Sequence, residues 1–355
     1  MQLKKVLSTS LKILASAGML GYLGVQAAGD PRFRELLAGE KNWPILICAL
    51  PLCLGAVSLT ILRWRLLLRT LGLEFSTHET LRAGFLGYLV NLMPFGLVGG
   101  DSLKAVMLIH RNPKRKTEAV ATVVVDRVIG LYALLLLAAG ASFFLPAEQV
   151  QQLAASDKAI LQRLCDVVRA SALISTLGLI VLLIPGITQL RAWDLVEHLP
   201  LVGGVLHKLV GAMRNYRRRV DRLLMAIFFS LGIHLLYVSS MALMTIGLGV
   251  PAAQRPAIGM IFVIVPPAMI AGALPIGAFE VVLNLLFRCV SPPGGPQNIG
   301  FLLALVYRVV QVLIASIGLA YWLTSRGEVR ELLHEASDTP PEQDLAGNEP
   351  IGARA

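Results

Sequence analysis

Six ionisable side chains stand inside apolar stretches of this chain: Asp101, Lys104, Asp126, Arg127, Glu280 and Arg308. Each costs on the order of 2.5–3.5 kcal/mol at the centre of an inserted helix. Such groups therefore face a bundle interior or a wet cavity, pair with one another and mark transport paths. Asp101 and Lys104 are one helical turn apart and can pair locally. Asp126 and Arg127 are adjacent, so on a helix they point about 100° apart and each needs a partner from elsewhere. Arg127 and Arg308 are the expected partners of Asp101 and Glu280. A pair of purely structural ion bridges is the alternative reading.

The backbone beside these charges is interrupted. The stretch "NLMPFGLVGGD", 91–101, sets Asn91, Pro94, Gly96, Gly99 and Gly100 ahead of Asp101. A half-helix beginning near Gly100 would present free N–H donors and the positive end of its dipole. With Arg127 nearby, that suits an anionic headgroup such as a phosphate. Asp101 then serves as a helix cap or as counter-ion to a cationic group. A second interruption, 256–290, holds Pro266, Pro267, Gly272, Pro275 and Gly277 ahead of Glu280. Backbone groups freed in a bilayer must be satisfied by protein or trapped water. The two interruptions are thus expected to line a polar pocket at membrane depth.

These residues have to be positioned by membrane helices. The chain has 355 residues, 55% hydrophobic and 15% charged, with a mean hydropathy of +0.69. An average soluble domain carries about 25% charged residues. The apolar runs are continuous, which excludes the short alternating strands of a barrel. The reading is all-α: a polytopic transmembrane bundle of about six full spans (11–28, 43–62, 118–145, 170–186, 223–249 and 300–324) and two broken or re-entrant hairpins (83–109 and 256–290). Residues 1–325 form one integral membrane domain and 326–355 a disordered cytoplasmic tail. The lysine-flanked first segment ends in "VQA", which loosely resembles a processing site. Its length favours a retained helix.

The net charge of +10 is read as an excess of Lys and Arg in cytoplasmic loops, which puts both termini in the cytoplasm of a cell (inner) membrane protein. Nucleic acid is excluded as a partner, because the basic clusters flank apolar runs and lack interleaved aromatics. Arg82 and "RNPKRK" bracket the first hairpin on the cytoplasmic side. The uncharged "SPPGGPQN" follows the second on the outside. Hairpins opening to opposite faces point to an inverted repeat with a site near the midplane. Arg214, Arg218 and Arg222, four apart, form a basic face in the stretch 187–222, read as a topology anchor or an anionic-lipid dock. The loops 29–42 and 146–169 are read as connections. Cys48, Cys53, Cys165 and Cys289 lack metal or disulfide spacing and are read as packing residues. His78, His110, His198, His207 and His234 are scattered. With no Ser/His/Asp set and no P-loop, neither a cofactor nor an enzymatic centre is expected.

Four motifs in order resemble the lysylphosphatidylglycerol synthase transmembrane-region family, also called the UPF0104 or flippase-like domain family. They are Asn91, Pro94, Gly99, Gly100 and Asp101; Asp126, Arg127, Gly130 and Leu131; Pro275, Gly277 and Glu280; and Tyr307 with Arg308. Family members often carry a glycine-richer turn where this chain has "PIGAFE". The resemblance covers about 1–325 and implies the lipid-handling membrane part, without the soluble aminoacyltransferase domain and without lysyl transfer. It implies membrane lipids as partners, with an anionic headgroup, bound by the motif residues together with Lys104. The expected function is handling or translocation of a phospholipid or glycolipid-like amphiphile. The alternatives are an enzyme or subunit modifying a lipid-linked substrate, or a scaffold for one.

Overall fold

The computed structural model describes residues 31–92, 97–184, 216–273, 277–292 and 298–324, with 21, 24, 25, 28 and 29. The helices, in order, are α1 (Pro31–Ala38), α2 (Trp43–Thr70), α3 (Thr77–Asn91), α4 (Leu97–Arg111), α5 (Lys116–Ala141), α6 (Ala147–Gln152), α7 (Ala155–Leu183), α8 (Val220–Gly247), α9 (Ile258–Ala271), α10 (Ala278–Val290) and α11 (Ile299–Thr324). No strand occurs among the described residues. Five of these helices, α2, α5, α7, α8 and α11, are long and apolar enough to cross a membrane. The sixth expected span, 11–28, lies almost wholly outside the described residues, as do 187–215 and the tail.

Local chemistry sets the starts of the elements that matter. Asn42 caps α2, accepting the Ile45 N–H at 3.3 Å, with proline in the first turn. Ser76 and Glu79 form a reciprocal box at the head of α3: the Ser76 hydroxyl accepts the Glu79 N–H at 3.1 Å, and the Glu79 carboxylate accepts the Ser76 N–H at 2.8 Å. Each such cap satisfies donors that a helix start leaves orphaned and contributes about 1 kcal/mol.

α2 and α8 pack antiparallel along their lengths. The Asn42 N–H donates to the Gly247 carbonyl at 2.9 Å. Further along, Cys53 meets Ser240 at 3.1 Å and Arg63 donates to Ser230 at 2.7 Å. The hairpins α3–α4 and α9–α10 dock on α11 from its opposite ends. Gly300 rests on α10, where an added methyl would stand 2.6 Å from the Asn284 Cα. Gly318 rests on α3, where a methyl would run into the Phe85 carbonyl and stand 3.0 Å from Leu89 Cβ. Eighteen residues are five full turns, so both glycines lie on one face of α11, about 27 Å apart. Described residues of both hairpins reach its middle: Phe279 packs on Tyr307 at 5.6 Å, and Tyr88 lies within electrostatic reach of Arg308.

The element order repeats. α2, the pair α3–α4 and α5 contain 28, 15, 15 and 26 residues. α8, the pair α9–α10 and α11 contain 28, 14, 13 and 26. The leading helices are antiparallel and the hairpins enter from opposite ends, as an inverted repeat requires.

Several boundaries differ from the sequence reading. α2 continues to Thr70 and not 62, because a helix of about 42 Å reaches through the headgroup layers where arginine is tolerated. α7 begins at Ala155 rather than 170, since charges at the solvated end of a helix do not stop it. Arg169 on α7 is tied down there, donating to the Ser142 hydroxyl at 2.7 Å and carbonyl at 2.8 Å. The first hairpin starts at Thr77, ahead of 83. The stretch 29–42 contains α1, whose Phe33 meets Phe301 with ring centroids 6.5 Å apart. Arg217–Arg219 form a 3-10 turn ahead of α8, so the stretch leading to Arg222 is not one continuous α-helix. Arg214 lies outside the described residues.

Candidate functional site

In the first hairpin α4 packs tightly on α3. Gly100 lies in the first turn of α4 against α3, so close that a methyl would overlap the Gly87 carbonyl. Only glycine permits this approach. The Gly100 N–H donates to the Asn91 side-chain oxygen at 3.0 Å, so it is not the free donor the sequence reading expected. Gly99 precedes it in the same turn. Asp101 follows and accepts two hydrogen bonds from Arg127 of α5, Nε at 2.5 Å and Nη2 at 2.7 Å. This fork geometry is the strong form of the ion pair.

The second tip repeats the plan with different residues. Gly277 takes φ +104°, a left-handed conformation that any other residue would strain. Its N–H donates to Glu280 Oε2 at 3.1 Å. The other carboxylate oxygen accepts from Arg308 Nε on α11 at 2.7 Å. Arg308 also donates to the Gln311 side chain at 3.0 Å and lies 5.9 Å from the Phe279 ring centre. In both halves a carboxylate near the start of the hairpin's second helix binds an arginine about midway along the next long helix. The sequence separations are 26 and 28 residues.

Tyrosines connect the two pairs. Tyr307 is buried and meets Tyr237 edge-on at 6.4 Å. Tyr237 lies within electrostatic reach of Arg127 and Tyr88. Depth and exposure together define the site. Arg127 sits about 17 Å from one end of α5 and 21 Å from the other. Yet its side chain is 44% exposed, with Asp101 at 18%. Arg308 is 33% exposed while Glu280 is 2%. Guanidinium groups at mid-depth that protein does not cover need water or a polar ligand.

Lys104 stays with the first pair, in the local contact its spacing allows, whereas Asp126 does not. Lys104 is buried, 3.9 Å from Asp101 Oδ1 and 5.5 Å from the Trp64 ring centre, and faces inward. Asp126 points away from Arg127 and accepts from Arg63 Nε at 2.9 Å, both side chains 6% exposed. Pro94 and Pro275 lie outside the described residues. Arg63 is the residue the sequence reading missed, because it stood one position beyond the expected end of a span. It joins α2, α5 and α8 through Asp126 and Ser230. Gly130 leaves room for it: a methyl there would stand 3.1 Å from Arg63 Nη1. His234 completes the contact, its Nε2 lying 2.8 Å from the Gly130 carbonyl.

Among the described residues no group of three or more His, Cys, Asp or Glu side chains is placed to hold a metal ion. The chemistry on offer is reversible ion pairing, with two guanidinium donors and two carboxylate acceptors beside tyrosine rings. Comparison with curated proteins and with solved structures found no match. The family model described as lysylphosphatidylglycerol synthase TM region matches residues 10–318. The motif residues of both tips and both arginines fall within that range. This multi-pass helical membrane protein belongs to the lysylphosphatidylglycerol synthase TM region family, a membrane family related to lipid handling.

Proposed function

We propose that the protein translocates a lipid, carrying the headgroup past the two ion pairs while the acyl chains stay in the bilayer. The observation that carries this reading is the equivalence of Asp101–Arg127 and Glu280–Arg308: two partly exposed pairs at mid-depth, on hairpins entering from opposite ends. A phosphate-bearing headgroup competes with each carboxylate for its arginine, and the released carboxylate receives any cationic group on the same headgroup. No covalent step is involved, so the protein acts as a flippase-like transporter and not as an enzyme. Membrane lipids with anionic headgroups are its partners.

The basic residues Arg65, Arg69, Arg111, Lys114, Arg115 and Lys116 stand at the end where the first hairpin opens. By the positive-inside rule that end is cytoplasmic, in a cell (inner) membrane, with both termini on the same side.

The test is headgroup translocation in proteoliposomes with no added cofactor. Labelled phospholipid becoming accessible in the opposite leaflet, with loss of that activity in Arg127→Gln and Arg308→Gln, supports the reading. Folded, reconstituted wild-type protein that leaves every lipid class tested where it started refutes it.

A further inference from the structure

A second site lies away from the ion pairs, between α2 and α8 at the end where the first hairpin opens. A cleft of about 490 Å³ is lined by Leu62, Arg65, Leu66 and Arg69 of α2 and by Arg219, Arg222, Met225 and Phe229 from the start of α8 and the turn before it. That volume falls in the range of small-molecule sites, roughly 300–1,000 Å³. The lining follows helical spacing. Residues 62, 65, 66 and 69 form one stripe of α2, and 222, 225 and 229 one stripe of α8.

The order along those stripes is the telling feature. The helices are antiparallel, so Arg69, Arg219 and Arg222 gather at the outer end, with Arg65 one turn further in. Leu62, Met225 and Phe229 form the deeper part. Leu62 lies about 28 Å along α2 from Trp43, where the hydrocarbon of a typical bilayer, about 30 Å thick, gives way to headgroups. The cleft therefore has a cationic mouth at headgroup depth and an apolar throat in the hydrocarbon. Free phosphate explains the mouth but not the throat.

Among the described residues the positive charge is incompletely answered. Arg65 Nε is buried without a hydrogen-bond partner. Of the four arginines, Arg222 has a carboxylate neighbour, Asp221 at 3.3 Å. Leu62 and Met225 are each 42% exposed, so the throat is open. An arginine that lines a cleft without a carboxylate partner gains charge-assisted hydrogen bonds from a phosphate placed there.

We propose that this cleft binds an anionic phospholipid of the leaflet at that end, its phosphate on Arg65 and Arg219 and an acyl chain along Leu62, Met225 and Phe229. The site shares no residue with the midplane ion pairs, so it stands or falls independently of the translocation reading. It gives the protein a means of sensing or recruiting anionic lipid at the α2–α8 contact, which also carries the Arg63 clamp.

The test uses the purified full chain in detergent and native mass spectrometry, titrated separately with phosphatidylglycerol, phosphatidylcholine and the soluble probe glycerol phosphate. Phosphatidylglycerol is expected to bind about tenfold more tightly than phosphatidylcholine. The double substitution Arg65→Gln with Arg219→Gln lowers phosphatidylglycerol affinity about twenty-five-fold, since each basic side chain near an anionic surface is worth roughly a factor of five. Met225→Trp narrows the throat with every charge retained and also weakens phosphatidylglycerol, which decides the matter if the double variant does not fold. Arg255→Gln, at the opposite end, leaves binding unchanged. Equal binding of the two lipids, or phosphatidylglycerol binding indifferent to both the double variant and Met225→Trp, overturns the proposal. Glycerol phosphate binding as tightly as phosphatidylglycerol also overturns it, in favour of a soluble-anion site.

Discussion

Asp101 grips Arg127 through two parallel hydrogen bonds of 2.5 and 2.7 Å, joining the tip of one re-entrant hairpin to the middle of the long helix that follows it. Removing Asp101 leaves Arg127 and Lys104 charged without their carboxylate, whereas Arg127→Gln leaves Asp101 beside Lys104 at 3.9 Å and removing both leaves Lys104 alone. Asp101→Asn and Arg127→Gln are each expected to slow translocation by at least about tenfold. In unfolding measurements the double variant is expected to be more stable than the two single losses predict, with a coupling of about 1–3 kcal/mol. Additive losses would mean that the pair does not act as a unit.

The Arg63–Asp126 pair is buried on both sides and should behave as structure. Arg63→Met alone strands the Asp126 carboxylate and is expected to cost about 3–5 kcal/mol. Combining it with Asp126→Leu should recover most of that loss. Unfolding in a calibrated denaturant series for membrane proteins reads both values. Recovery of stability without recovery of translocation would show that the Arg63–Asp126 pair has a part in transport as well.

Backbone contact at α11 makes a steric prediction. Gly318→Ala drives a methyl into the Phe85 carbonyl of α3 and is expected to destabilise the protein by about 1–3 kcal/mol. Gly55→Ala on α2 meets its nearest neighbour, Leu236, at an ordinary 3.6 Å and should stay within about 0.5 kcal/mol of wild type. Equal thermal unfolding of the two variants would contradict the close packing of α11 on α3.

Glu79, at the open end of the first hairpin, supplies a pH dependence. Partial burial pushes its carboxyl up, but the Ser76 N–H, the Arg111 guanidinium and the Ser76 side chain together carry it below the usual 4.5. A carboxyl depressed in the folded state stabilises fully above its unfolded value, and loses that contribution as pH falls through the lower folded value. Wild type should therefore lose more stability than Glu79→Gln between about pH 5 and 3. Parallel curves for the two proteins would remove Glu79 from the account.

Much of this arrangement could be read from the residues. Pro94, Gly96, Gly99 and Gly100 between Arg82 and the basic "RNPKRK" pointed to a broken or re-entrant hairpin, because about 27 mostly apolar residues cannot cross twice. The cost of bare charge in lipid was enough to pair Arg127 with Asp101 and Arg308 with Glu280. Arg63 escaped, because an arginine next to an apolar run of span length looks like a membrane anchor; only the continuation of α2 to Thr70 shows it to be internal. The Asn91–Gly100 bond was equally hidden. Nothing in "NLMPFGLVGG" tells which oxygen reaches back across nine residues to the N–H. The start of α7 was missed for a third reason: Asp157, Lys158 and Arg163 are polar enough to resemble a loop, yet spaced so that a helix tolerates them.

Gly300 and Gly318 give α11 a phase as well as a length. Each is the point where one hairpin's backbone comes to rest, and their spacing of five whole turns keeps both seats in register. One residue inserted between them would swing one seat by about 100°, leaving its hairpin facing side chains where it had faced bare backbone. Substitutions along that interval trade one side chain for another. A single-residue insertion or deletion would instead derail one half of the bundle from the other.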